Sequence, residues 1–449
     1  MQGRSSWPIV LIELLIFGVS GGMLWQIGWN YDGISGSPFT KIHPSTYLTV
    51  AIFVWNAVTS GNPVGYAVRS ARLWPGAFFL LVAMLVLFAY IVSHDGAGMA
   101  GALDTYLAPA LLVVLVGDLD RRGKSRIEIT LHVLMTLNAA LALVEFVSHT
   151  KFFPYRFEGA LFPYDVRSTA LQGHPLVNAA TTAWYTLALL NGTRILPQGL
   201  RLSLVALQFA ALITFGGRAA TVVCGVLASL YVARRAHAAL RSGRVPILTA
   251  AVALMITALL PILIIALAAG GFFDTLAERF VSDGGSANAR VEMFSMFDNL
   301  SFHDILAGPD LGFINSLRRI NGLEWGIENP IVKTLLYQGL IVTVFMTLAV
   351  AAFIYELSRQ CVRGVWMPIL CLLILINAAE SIGGKTTMLA KFVLVLVCLY
   401  RPVELSPRAV RIGSSKLRVT SSITPIPSNK FQKAQENPND SAVSRTSRI

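Results

Sequence analysis

Long uninterrupted runs of apolar residues recur along this chain, separated by short polar connections. A helix of about 20 apolar residues crosses the roughly 30 Å core of a bilayer. Candidate runs fall near 8–27, 46–60, 75–93, 104–117, 128–147, 176–191, 200–215, 219–233, 246–270, 331–356, 365–379 and 386–400. They are continuous rather than alternating, so they read as helices and not as strands of a barrel. One stretch breaks the rhythm. From Gly271 to Pro330 the chain is mostly polar and carries Glu278, Arg279, Asp283, Arg290, Glu292, His303 and Glu324 among other ionisable groups. The pattern predicts an all-α, polytopic helical membrane protein with about twelve transmembrane helices and one large external loop between spans 9 and 10. Residues 1–401 would form the membrane domain, with external segments at 148–175 and 271–330. Residues 402–449, rich in Ser, Pro, Asn and Lys/Arg, read as a disordered basic cytoplasmic tail.

Composition agrees: 55% of residues are hydrophobic and 13% charged, far from a soluble domain. The net charge of +12 belongs to short loops. Arg69 and Arg72, then Arg121, Arg122, Lys124 and Arg126, then Arg194 and Arg201, Arg234 to Arg244, and Arg359 and Arg363 all fall on one side of a twelve-span arrangement. The intervening loop 28–45 has only Lys41, and 94–103 has neither Lys nor Arg. By the positive-inside rule both termini are expected in the cytoplasm. No basic surface with interleaved aromatics suggests nucleic acid. Cys224, Cys361, Cys371 and Cys398 lie in or beside apolar runs at no metal-ligand spacing, so no disulfide, metal or other cofactor is expected.

Several polar positions invite a chemical reading. GGKTT at 383–387 lacks the earlier glycine of a phosphate-binding loop and follows no strand, so it is rejected as a nucleotide site; it would still place Glu380 and Lys385 at the outer rim. Arg218, at a Gly-Gly break between two apolar runs, either reaches to lipid headgroups or offers a guanidinium fork to an anion. Arg290 and Arg279 invite the same reading, against salt bridges to Glu292 or Asp283. The segment 151–175 mixes Phe152, Phe153, Tyr155, Phe157, Phe162 and Tyr164 with Arg156, Glu158, Asp165 and Arg167, which suits either an interfacial belt or a carbohydrate. His174 and Glu328 precede Pro175 and Asn329-Pro330 at helix starts; Glu328 is either a helix-end carboxylate or a general base. Lys391, Glu145 and His132 are the only candidates for deep charges, and each is long enough to reach an interface.

Four elements in this order resemble the O-antigen ligase and Wzy-type polysaccharide polymerase superfamily, in its VpsF-like exopolysaccharide branch. They are Arg167 followed by GHPLVNAA at 173–180, GGRAAT at 216–221, NARVEMF with Arg290 followed by LAGPDLGF at 306–313, and ENPIVKTLLYQGLI at 328–341. Ligases of that family carry a His where this chain has Glu328, so the resemblance favours a polymerase. It implies an enzyme of the bacterial inner membrane that joins glycan repeat units carried on undecaprenyl diphosphate, without nucleotide sugar or cofactor. The implied catalytic residues are Glu328 and His174, with Arg218, Arg290, Arg167 and Arg279 binding substrate. The bilayer, a chain-length regulator and a flippase of the same pathway would be its partners. A lipid-glycan flippase or secondary transporter without chemistry is the alternative.

Overall fold

The computed structural model describes residues 6–33, 35–94, 98–157, 159–161, 166–193, 195–243, 265, 268–274, 277, 286–323, 326–327, 329–377, 382 and 384–400. It is a helical bundle. In chain order the helices are α1 (Trp7–Gly18), α2 (Gly21–Gln26), α3 (Pro44–Thr59), α4 (Pro63–Leu73), α5 (Pro75–Ser93), α6 (Met99–Gly117), α7 (Arg121–Ser148), α8 (Pro175–Asn191), α9 (Gln198–Thr214) and α10 (Arg218–Ser242). A polar stretch then holds α11 (Ser286–Ser295), α12 (Phe302–Ala307) and α13 (Leu311–Ile320), before α14 (Pro330–Arg359), α15 (Trp366–Leu375) and α16 (Met388–Leu399). Five of these, α5, α6, α7, α10 and α14, are long and apolar enough to cross a membrane, and α1, α9, α15 and α16 are shorter apolar helices. Most of the candidate span at 246–270, and the tail, lie outside the described residues.

The helix starts follow from the sequence. Proline stands in the first turn of α3, α4, α5, α8 and α14, where its missing N–H would be unpaired anyway. Side chains of His43, Asn62, Asp120, His174 and Asn329 cap the following turns. The run 8–27 is not one helix: Val19 and Ser20 are extended, and the Ser20 hydroxyl restarts the chain by accepting from the Met23 amide.

The faces of the helices divide cleanly. On α5, Leu80, Ala83, Leu87 and Ile91 are buried, whereas Phe78, Leu85 and Val92, seven residues apart, are more than half exposed. An exposed apolar stripe along a helix of this length fits lipid rather than water. α14 packs along α5, and the Glu356 carboxylate accepts from the Gly76 and Ala77 amides at the start of α5 (2.7 and 3.2 Å). In the centre lies α16, which packs on α6 and α8 and is buried along its whole length.

α14 is broken at Gly339 (φ 76°, ψ 174°), a conformation open essentially to glycine alone. The turn after α12 fills the break: a Cβ on Gly339 would run into Ala307 and the Gly308 amide. Tyr90 of α5 donates its hydroxyl to the Tyr337 carbonyl freed there (3.4 Å). Before the break, Val332 and Leu336 belong to a small separate core with Met293, Met296, Ile314, Leu317, Leu323 and Ile327. After it, residues 340–359 are about 30 Å of helix, enough for one bilayer core. The sequence suggested one span over 331–356; the structure instead gives its first turns to the polar stretch.

Candidate functional site

Two deep charges organise one end of the bundle. Glu145, in the last turn of α7, is 3% exposed and receives three backbone amides: Phe152 (3.0 Å), Thr169 (2.7 Å) and Ala170 (2.8 Å). It thereby fastens both ends of the connection between α7 and α8. Ala170 is held at φ 41°, a left-handed conformation costly for a residue with a side chain. Asn138 accepts from the Leu171 amide and donates to Asn178, which donates in turn to the Thr169 carbonyl. Lys391 of α16 donates to Gln172 Oε1 (2.9 Å). The amides of 169–171 are thus satisfied by side chains inside the protein, as buried backbone must be. Lys391 (4% exposed), Glu145 and, toward the opposite end, His132 (5%) all lie inside the core. Long enough to reach an interface, each instead has polar partners close by, His132 bonding Tyr185 Oη at 2.7 Å.

At the same end, four chain segments that are remote in sequence meet. Asp104 sits in a π-helical turn at Leu103–Leu107. It accepts from Thr46 Oγ1 (2.6 Å), Tyr31 Oη (2.9 Å) and the His43 amide (3.1 Å), tying the 28–43 connection to α6. Lys385 donates to the Tyr31 carbonyl and lies 3.8 Å from the centroid of the Tyr31 ring. Burial lowers the Lys385 ammonium from its usual range, against the pull of Asp32 and Asp104. Lys41 donates to the carbonyls of Asn30, Gly33 and Ser35. A two-residue antiparallel pairing of Arg156–Phe157 with Ala160–Leu161 brings Arg156 over the Trp25 ring, 4.6 Å from its centroid. Tyr155 packs edge-on against His174 at 4.1 Å. Gly173 presses on Ser20, and Gln26 donates to the Phe152 carbonyl (3.1 Å), so α2 joins the two halves of the cluster. Asp32 is partly accessible in its midst. Burial raises its carboxyl above the ordinary range, while Lys385, Lys41 and Arg156 pull it back.

The residues singled out from the sequence fare differently. His174 is the N-cap of α8: its Nδ1 accepts from the Leu176 and Val177 amides (3.2 and 3.4 Å). A neutral ring used in this way carries its proton on Nε2. Arg167 and Arg218 reach the same end of the bundle. The Ser168 amide, next to Arg167, donates to the Thr214 carbonyl (3.2 Å) at the close of α9. Gly217, next to Arg218, packs so tightly on Ala179 of α8 that a Cβ there would collide. Of the aromatic residues of 151–175, Tyr155 packs against His174, Phe152 is 44% exposed, and Phe162 and Tyr164 lie outside the described residues. Arg290 lies in α11; Arg279, Glu328 and Glu380 lie outside the described residues.

Asp32, Tyr31, Asp104 and Gln172 drew no attention as sequence. Each is a lone polar residue in unremarkable surroundings, and only tertiary packing makes them neighbours. The nearest signal was Lys41, the single basic residue of 28–45. Among the described residues no three metal-ligating side chains come together, and the four cysteines are free. No protein-family model, curated protein or solved structure matches this chain.

Proposed function

We propose that this chain is a membrane glycosyltransferase of the polysaccharide-polymerase kind. It extends glycan repeat units carried on undecaprenyl diphosphate at the outer face of a bacterial inner membrane, with about twelve spans and both termini in the cytoplasm. It would work beside the flippase and the chain-length regulator of the same route. The observation that carries the reading is the gathering of Arg167, His174 and Arg218 at one end of the bundle, through the Ser168–Thr214 bond and the Gly217–Ala179 contact. A second supports it: Gly308 and Gly339, from two of the four motifs that carry the resemblance, pack on one another.

In this reaction an acceptor hydroxyl forms a bond to the donor's anomeric carbon. The bond from that carbon to the diphosphate breaks, and the electron pair leaves with the lipid diphosphate. Developing charge on a diphosphate is stabilised by fixed cations, and guanidinium forks match phosphate oxygens in pairs. Arg218 and Arg290 are assigned that role, Arg167 and Arg279 contact the glycan, and Glu328 is the base implied by the resemblance.

The test is extension of lipid-linked repeat units by the purified protein in nanodiscs. Arg218→Lys keeps charge but loses the fork, and polymer formation is expected to fall at least tenfold at equal protein level. Unchanged extension by Arg218→Lys would assign the arginine to headgroups instead. The second reading, a flippase or transporter, is favoured by Glu13, which is fully buried in α1 with neither carboxyl oxygen hydrogen-bonded. It requires that cells lacking the protein trap lipid-linked units on the inner leaflet; polymerase loss leaves single units on the outer one.

A further inference from the structure

We infer that Asp32 is the residue that takes the proton from the attacking hydroxyl, in place of Glu328 or His174; this rests on the polymerase reading. The geometry has three parts. First, Asp32 is partly accessible at the end of the bundle where Arg167, His174 and Arg218 are gathered. One side of α2 touches Gly173, beside His174, and Gly21 at the head of α2 touches the Asp32 carboxylate. Second, among the described residues, none of the bonds that fasten the 28–43 connection uses this carboxylate. Tyr31, His43 and Thr46 all go to Asp104, and Lys41 and Lys385 go to backbone carbonyls. Its oxygens are left to accept. Third, the cations acting on it, Lys385, Lys41 and Arg156, come from three different segments. A diphosphate beside them would place its developing charge against fixed positive groups while the neighbouring carboxylate receives the proton.

The step balances simply. The hydroxyl proton passes to Asp32 Oδ, its oxygen bonds the anomeric carbon, and the diphosphate departs with the bonding pair. Asp32 then returns the proton to water before the next cycle. The charged and titratable groups acting on it are Lys41 on its own connection, Lys385 before α16 and Arg156 of the paired strands, with Tyr31, which bonds Asp104, beside it. Burial raises its carboxyl, the direction that makes a carboxylate a stronger base.

The experiment measures single-turnover extension by the intact protein in nanodiscs between about pH 3 and pH 9, a range that spans carboxyl titration. Asp32→Asn is expected to lose about 10²–10⁴ of the rate, the usual worth of a general base. Asp32→Ala is expected to recover activity with added formate. Gly21→Ala, which keeps Asp32 but drives a methyl into its carboxylate, is expected to lose rate as well. The wild-type rate should fall on the acid side, and the residue of Asp32→Asn activity should not. Extension by Asp32→Asn above a tenth of wild type overturns the assignment while the polymerase reading stands. So does a loss in Glu328→Gln matching that expected of Asp32→Asn, with formate failing on Asp32→Ala. Wild-type protein that extends nothing overturns both.

Discussion

His43 shows how one residue sets a condition on the whole cluster. Its Nε2 faces the Val19 carbonyl (3.1 Å), its Nδ1 faces Ser45, and its amide is fixed on Asp104. Burial pushes its pKa from 6.5 down to about 4, helped by the nearby charges of Lys391 and Lys385 and opposed by the bond to Val19. The folded state holds the ring neutral. Its contribution is therefore complete above pH 6.5 and is lost as pH falls toward 4. A shift of that size corresponds to about 3 kcal/mol. Melting temperature is expected to drop across this window, and less steeply in His43→Asn, which keeps a capping oxygen. Equal slopes in the two proteins, by fluorescence melting in detergent, would assign the acid sensitivity elsewhere.

At the scale of elements, the break in α14 governs how the polar stretch meets the bundle. Gly339→Ala forces a side chain into a backbone region closed to it, and into Gly308. Strain of this kind costs on the order of 1–3 kcal/mol before the steric conflict is counted. The expected result is a lower melting temperature and a looser polar stretch, read by faster proteolysis between Ser286 and Ile327. A melt equal to wild type would mean that the helix can straighten without loss. No local signal announced the break, because a lone glycine in an apolar run is common and its partner, Gly308, lies thirty-one positions earlier. The reverse holds for helix starts. Pro44, Pro75, Pro175 and Pro330 announced them because the constraint acts within the residue itself.

For the molecule as a whole, apolar runs made the helical class legible, since burial in lipid demands continuous stretches that local sequence displays. Sidedness rests on Arg and Lys in the short connections. Reporter fusions at Gly243 and Ser286 are expected to answer from opposite sides of the membrane; the same side for both would sink the arrangement. The candidate site was legible in part. Arg167, His174 and Arg218 were marked by glycine and proline neighbours and do share one end of the bundle. Asp32, Asp104 and Lys385 meet only because α6, the 28–43 connection and the turn before α16 converge. No window along the chain contains that convergence.

The central place of α16 has a consequence for how the protein is made. It is the last of the described helices to leave the ribosome, yet it is the innermost, with every residue from Met388 to Leu399 buried. Lys391 and the turn at 384–387 supply partners to Gln172, to Tyr31 and to Thr105. Until that helix inserts, those groups face a vacant centre and the cluster around Asp32 is incomplete. Assembly of this end of the bundle is therefore deferred until α16 is in place, when the 28–43 connection and the segment around Gln172 gain these partners together.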